Sequence, residues 1–125
     1  LYDSYIVLGE KFYNALLNSP VPLDKRALKF LRNSSFNLDI YNWCAHKSHA
    51  LTKQGKPKQF LTWRRFMEQL GANYSDVKDF KKYAKNAFSK VNIVYPSLKI
   101  EYVTRGFEIY AAPPPVPEQQ RKLLK

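Results

Sequence analysis

The sequence predicts an α+β fold that is mainly helical, and three observations lead to this prediction. Apolar residues recur at helical spacing in several segments of the first half of the chain. Two further helical segments flank Gly71, and the second of them is rich in lysine. The chain then changes to the apolar and polar alternation of a β-hairpin. This order is that of a winged helix-turn-helix with additional N-terminal helices and a C-terminal β-hairpin wing.

The elements before residue 51 are predicted from short local patterns. Residues 4–8 (SYIVL) are partly β-branched and predict an edge strand, and residues 10–18 predict a helix that stops before two prolines. A second helix begins at Asp24 as its N-cap and closes at the sequence NSS. A third helix is predicted over residues 37–51, with Asn37 or Ser35 as its cap.

The middle of the chain predicts a helix, a glycine turn and a second helix. After a minimal strand at residues 59–61, Thr62 stands at an N-cap position before WRRFMEQL, and Gly71 is placed to end that helix in the left-handed conformation. Ser75 is predicted to cap the lysine-rich helix, which runs to about Val91.

The last predicted element is a β-hairpin. Leu98, Ile100 and Tyr102 alternate with polar residues, as do Phe107 and Ile109, and the linker that holds Gly106 joins the two strands. We expect residues 1–112 to form one domain and residues 113–125, which begin with three consecutive prolines, to form a flexible basic tail.

The charge of the chain indicates a polyanionic partner. The 21 lysines and arginines against 10 acids give 125 residues a formal charge of +11. Residues 53–90 hold ten basic and three acidic residues, so +7 of that charge lies in less than a third of the chain. Such a concentration predicts a basic surface on the folded domain.

Several other classes of function are disfavoured. No apolar run is long enough to span a bilayer and no signal peptide is apparent, so a soluble, cytoplasmic protein without membrane partners is expected. Cys44, His46 and His49 lie close in sequence but do not share one helix face, so no metal site is predicted. No catalytic motif or cofactor-binding motif is present, and we expect a protein that is not an enzyme and needs no cofactor.

The lysine-rich helix separates two kinds of side chain. One side carries an apolar stripe and the other carries lysines about one helical turn apart. This predicts that the helix packs on the core and presents its lysines to DNA. Short polar groups near its start could reach base edges, and Asp79 either contacts a cytosine amino group or pairs locally with Lys82. The predicted contacts from this helix are Ser75, Lys78, Asp79, Lys81, Lys82, Lys85 and Asn86.

Further contacts are predicted from the elements around this helix. Arg64 and Arg65 lie in the first turn of the preceding helix, where free backbone N–H groups favour a phosphate. An arginine at the hairpin tip could enter the minor groove, and a basic loop could touch the DNA backbone. These predicted contacts are Thr62, Arg64, Arg65, Thr104, Arg105, Lys53, Lys56 and Lys58. Each set also has a simpler interpretation as a solvated surface.

Three segments carry a resemblance to a known family: PVPLDKRALKFLRNSSFNLDIYNWCAHKS, TWRRFMEQLGANYSDVKDFKKYAKNAFSKV and VYPSLKIEYVTRGFEIYAAPPPV. In these segments, which together hold 82 of the 125 residues, the sequence resembles the plasmid-encoded RepA-type replication initiators and their winged-helix origin-binding domain. The resemblance implies sequence-specific binding to double-stranded origin repeats, assembly of initiators there and recruitment of host replication proteins. It carries over to residues 62–70 as the positioning helix, 75–90 as the recognition helix and 99–110 as the wing. Where the family tends to have an aliphatic residue and an arginine after LDIYNW, this chain has CAHK at residues 44–47.

Other functions remain open at this point. A winged-helix transcriptional repressor would present the same features, and a protein-interaction module would carry the same basic face as a solvated surface. A nuclease or relaxase is disfavoured by the absence of clustered acids. One recognition helix usually binds weakly, so a homodimer or an array of copies on DNA is expected.

Overall fold

The computed structural model describes residues 23–71 and 76–115. Its elements are α1 (Lys25–Leu31), α2 (Ser35–Gln54), β1 (Lys58–Thr62), α3 (Trp63–Leu70), α4 (Val77–Val94), β2 (Ile100–Val103) and β3 (Gly106–Tyr110). The predicted strand at 4–8 and helix at 10–18 lie outside the described residues. From residue 23 onward the order of the elements is the predicted one, so the mainly helical α+β class is confirmed.

The first two helices differ from the prediction mainly at their ends. Asp24 caps α1 as predicted, because its carboxylate accepts a hydrogen bond from the Arg26 N–H at 2.9 Å. The predicted caps of α2 are wrong: Ser34 is the cap, and its hydroxyl accepts from the Asn37 N–H at 3.2 Å. The helix also continues three residues past the predicted end at residue 51, because Gly55 ends it in the left-handed conformation with φ 69°.

The caps of α3 are confirmed and the cap of α4 is corrected. Thr62 accepts a hydrogen bond from the Arg65 N–H at 3.1 Å, and Gly71 ends α3 with φ 67°. The cap of α4 is Asp76 rather than Ser75, since the Asp76 carboxylate accepts from the Lys78 N–H at 2.9 Å. Ser75 itself lies outside the described residues.

The α4 helix runs three residues past its predicted end at Val91. The side-chain amide of Asn92 donates hydrogen bonds to the carbonyls of Tyr95 and Leu98, at 3.2 and 2.9 Å. These bonds hold the turn that follows the helix and lead the chain into β2.

The three strands form one antiparallel sheet in the order β1, β3, β2. Leu61 pairs with Phe107, and Ile100 pairs with Ile109, so the apolar residues of neighbouring strands share the face toward the helices. The predicted alternation of the hairpin is therefore confirmed for Ile100, Phe107 and Ile109. Gly106 belongs to β3 and not to the linker, and the positive φ of the turn, 70°, is at Arg105.

Aromatic side chains fill the core between the helices and the sheet. The ring of Phe66, which is fully buried, lies 4.5 Å from Trp43, 5.7 Å from Phe80, 5.6 Å from Phe88 and 5.0 Å from Phe107, measured between centroids. One residue of α3 therefore contacts α2, both halves of the apolar stripe of α4, and the central strand.

The chain after β3 is held on the body as far as the described residues extend. Ala112 is buried, and the Tyr95 hydroxyl donates a hydrogen bond of 2.6 Å to the Pro113 carbonyl. Burial raises the pKa of Tyr95 to about 12, so this hydroxyl stays a donor well into the alkaline range. The predicted tail thus begins with an anchored residue, and residues 116–125 lie outside the described part of the chain.

Within residues 23–71 and 76–115, no helix is long and apolar enough to cross a bilayer.

Candidate nucleic-acid interface

The α4 helix has the two faces that its sequence predicts. Phe80, Ala84, Ala87, Phe88 and Val91 are buried. The predicted polar face is open to solvent at Lys78, Lys81, Lys82, Asn86 and Ser89. Because the buried stripe fixes the rotation of the helix, these lysines point away from the core.

Lys85 differs from the other predicted lysines of α4, because it is half-buried. Its Nζ lies 4.7 Å from the centroid of the Tyr102 ring on β2. This distance is within the range of a cation–π interaction. Lys85 therefore joins the lysine face of α4 to the hairpin.

The start of α4 carries two acids whose positions have a structural explanation. Asp76 is the cap, and Asp79 lies in the first helical turn, where the positive end of the helix dipole favours a carboxylate. Asp79 and Lys82 are both described, and they form no ion pair. The local pairing considered for Asp79 is therefore absent, and its contact to a cytosine amino group stays a prediction.

The first turn of α3 exposes two arginine side chains, but two of its backbone N–H groups already donate hydrogen bonds within the protein. The Trp63 N–H donates to the Arg105 carbonyl at 3.3 Å, and the Arg65 N–H donates to the Thr62 hydroxyl at 3.1 Å. The expectation of free backbone N–H groups in this turn is therefore wrong for Trp63 and Arg65. A phosphate at this turn would be bound mainly by the exposed side chains of Arg64 and Arg65.

Trp63 brings the start of α3, the middle of α4 and the hairpin together. Its ring centroid lies 6.4 Å from Phe88, 5.0 Å from Phe107 and 6.0 Å from Tyr102. Its N–H holds the turn residue Arg105, as described above. Arg64 and Arg65 directly follow Trp63 in the chain, so they lie near the hairpin turn with its exposed Thr104 and Arg105.

We call the predicted contact cations on these three elements the basic surface. It consists of Arg64, Arg65, Lys78, Lys81, Lys82, Lys85 and Arg105.

The three remaining predicted lysines lie away from this cluster of contacts. Lys53 is in the last turn of α2, where the negative end of the helix dipole stabilises a cation. Lys56 follows the cap at Gly55. Lys58 is on β1, and its Nζ is 2.9 Å from a carboxylate oxygen of Glu108 on β3. The hydrogen bond from Lys58 to Glu108 raises the pKa of Lys58.

The sheet face that holds Lys58 points away from the helices, and the positive and negative side chains on it neutralise each other. The Tyr110 hydroxyl donates to the Glu101 carboxylate at 2.6 Å, which lowers the pKa of Glu101. The Nζ atoms of Lys58 and Lys99 lie 5.6 and 4.4 Å from the centroid of the Tyr110 ring. Two lysines and two glutamates thus compensate each other on what we call the outer sheet face, which is a poor site for a phosphate backbone.

The sequence analysis missed one residue at the centre of this arrangement. The alternation of the hairpin places Tyr102 among the inward-facing residues, yet the structure leaves it 47% exposed, in contact with both Trp63 and Lys85. Its aromatic type beside a lysine-rich helix was the available signal, but the contact itself depends on the tertiary fold.

Cys44, His46 and His49, for which no metal site is predicted, lie on α2. Cys44 is fully buried, and burial raises the pKa of its thiol. Among the described residues there is no group of three or more side chains that could hold a metal ion.

Comparison with protein families connects these features to a known group. Residues 1–65, just over half of the chain, match the family model of the plasmid-encoded RepA protein. The match ends in the first turn of α3, so α4 and the hairpin lie beyond it. Comparison with curated proteins and with solved structures gave no match. On the evidence of this family match, the chain belongs to the plasmid-encoded RepA family.

Proposed function

We propose that this chain binds double-stranded DNA sequence-specifically at a plasmid replication origin, as the origin-recognition domain of a replication initiator. The observation that carries the proposal is α4, whose buried stripe fixes the direction of its exposed lysines. In this proposal α4 enters the major groove, while the first turn of α3 and the hairpin contact the flanking backbone. In this proposal the domain acts as a winged helix, with the hairpin as its wing. Binding, and not catalysis, is the activity proposed, in the cytoplasm where a plasmid origin lies.

The charge distribution supports DNA over a protein partner at this surface. Seven cations form the basic surface, whereas α3, α4 and the α4 cap together carry three acids, Glu68, Asp76 and Asp79. If every one of these cations met a phosphate, the logarithm of the affinity would fall with the logarithm of salt concentration with a slope of about −6. An apolar protein interface would give little dependence on salt.

The proposal is tested by fluorescence anisotropy of the full chain with labelled duplexes. One duplex carries the direct repeats of the source replicon, and a second carries the same bases in scrambled order, each at two salt concentrations. We expect tighter binding to the repeats and a steep loss of affinity at the higher salt. Equal binding to both duplexes would contradict origin recognition, and salt-independent or absent binding would favour the protein-interaction interpretation.

The contribution of α4 is tested by Lys82→Ala. Lys82 is exposed, and removing its charge is expected to weaken binding to repeat and scrambled duplexes alike and to reduce the salt slope by about one. The matched control is Lys99→Ala, because Lys99 is exposed but lies on the outer sheet face over Tyr110. The control is expected to leave both affinity and slope unchanged, and an unchanged slope in the Lys82 variant would remove that residue from the interface.

Oligomerisation on DNA and contacts to host replication proteins are part of the proposal at the level of the whole initiator. A single winged helix recognises a short site, so adjacent repeats would be occupied by several copies. Sedimentation of the chain with duplexes that carry one or two repeats measures this stoichiometry directly.

A further inference from the structure

Tyr102 offers a fixed platform to one lysine of the basic surface. The Nζ of Lys85 lies 4.7 Å from the Tyr102 ring centroid, while Lys78, Lys81 and Lys82 are exposed. An ammonium group over an aromatic face is attracted by the negative charge density of that face. Lys85 is therefore held at the junction between α4 and the hairpin, whereas the other lysines extend into solvent.

The Tyr102 ring also contacts a buried aromatic residue. It lies 6.0 Å from the Trp63 ring at an interplanar angle of 31°, and Trp63 is only 4% exposed. Tyr102 also pairs with Phe107 in the strand ladder. Nearly half of its surface remains open to solvent. The ring is thus packed against the buried Trp63 and remains partly open to solvent.

We infer that Tyr102 is a positioning residue of the DNA interface, which holds the Lys85 ammonium where a phosphate that spans α4 and the hairpin would be bound. This inference rests on the proposed function. An ammonium group has three N–H donors, and a ring on one side leaves donors for a phosphate on the other. A free lysine loses much rotamer freedom when it binds, and a lysine already held over a ring has less freedom to lose.

The first test is a double-mutant cycle in the full chain. Tyr102→Phe keeps the ring and is expected to bind duplex DNA as the wild type does. Tyr102→Leu keeps an apolar side chain without a ring face and is expected to weaken binding about 2- to 5-fold. Lys85→Ala should then cost less in the Tyr102→Leu background than in the wild type, by about the same factor.

Two outcomes of this cycle would overturn the inference. One is wild-type affinity in Tyr102→Leu, and the other is an equal cost of Lys85→Ala in both backgrounds. Thermal unfolding of each variant shows whether it folds, so that a loss of affinity is not mistaken for a loss of structure.

The second test needs no DNA and separates this inference from the proposed function. In NMR spectra, the ring current of Tyr102 is expected to shift the side-chain Hε resonances of Lys85 upfield in the wild type and in Tyr102→Phe, but not in Tyr102→Leu. Absence of the shift in the wild type would overturn the inference whatever the chain binds. A chain that shows the shift but does not bind duplex DNA would overturn the proposed function, and the positioning role with it.

Discussion

Replacing Phe80 with alanine is expected to lower the free energy of unfolding by about 3–5 kcal/mol. The ring is fully buried, and its centroid lies 6.2 Å from Phe36 and 5.7 Å from Phe66. It therefore joins α4 to both α2 and α3. Truncation would remove these contacts and leave a cavity that the surrounding backbone can only partly close. Urea unfolding followed by circular dichroism measures the loss.

The matched control for Phe80→Ala is Ile93→Ala on the same helix. Ile93 is 66% exposed, so its truncation is expected to change the stability by less than about 0.5 kcal/mol. If Phe80→Ala unfolded at the same urea concentration as the wild type, the orientation of α4 would be wrong. The lysines assigned to the basic surface would then point in other directions, and the proposed DNA contacts would lose their basis.

The parts of the fold that depend on local chemistry could be predicted from the sequence. Asp24, Thr62 and Gly71 were identified as caps because each residue type satisfies helix ends within three or four residues of itself. The prediction failed where neighbouring residues offer the same chemistry. Ser34 caps α2 in place of Ser35, and all that separates them is which hydroxyl reaches the Asn37 N–H.

Contacts between distant segments could not be predicted in this way. Lys58 was assigned to the DNA interface from its charge and its place in a basic loop. Its partner Glu108 is fifty residues away and comes within reach only through the pairing of β1 with β3. The platform that Tyr102 forms for Lys85 has the same origin, since it requires the hairpin to pack beside α4. Sequence patterns found the lysine face, and the tertiary fold decides which lysines remain available.

The hairpin itself was predicted correctly, but the position of Gly106 within it was not. The sequence pattern places Gly106 in the linker between the strands, but the residue of the turn with a positive φ, 70°, is Arg105. Gly106 is instead buried in β3 opposite Thr62, where the backbone of β1 approaches closely. A glycine is needed there because of space, and not because of its backbone conformation.

Gly106→Ala is therefore expected to destabilise the protein by about 3 kcal/mol. An added Cβ would lie 2.1 Å from the Leu61 carbonyl oxygen and 2.9 Å from the Thr62 Cα. Both are backbone atoms, so no side-chain rotation can relieve the contact, and β1 would have to separate from β3. The hairpin would then lose its register beside Trp63, and we expect duplex affinity to fall together with stability.

Gly55 is the matched comparison, because there the backbone conformation, and not lack of space, requires glycine. A Cβ at Gly55 meets nothing within 4 Å, but its φ of 69° is unfavourable for alanine, so Gly55→Ala is expected to cost about 1 kcal/mol. Asparagine tolerates the left-handed conformation, so Gly55→Asn should recover much of that loss. Gly106→Asn should recover nothing, because a larger side chain meets the same backbone atoms. Recovery by asparagine at both positions would mean that the two glycines serve the same conformational purpose, and the close approach of β1 to β3 would not be what fixes the hairpin.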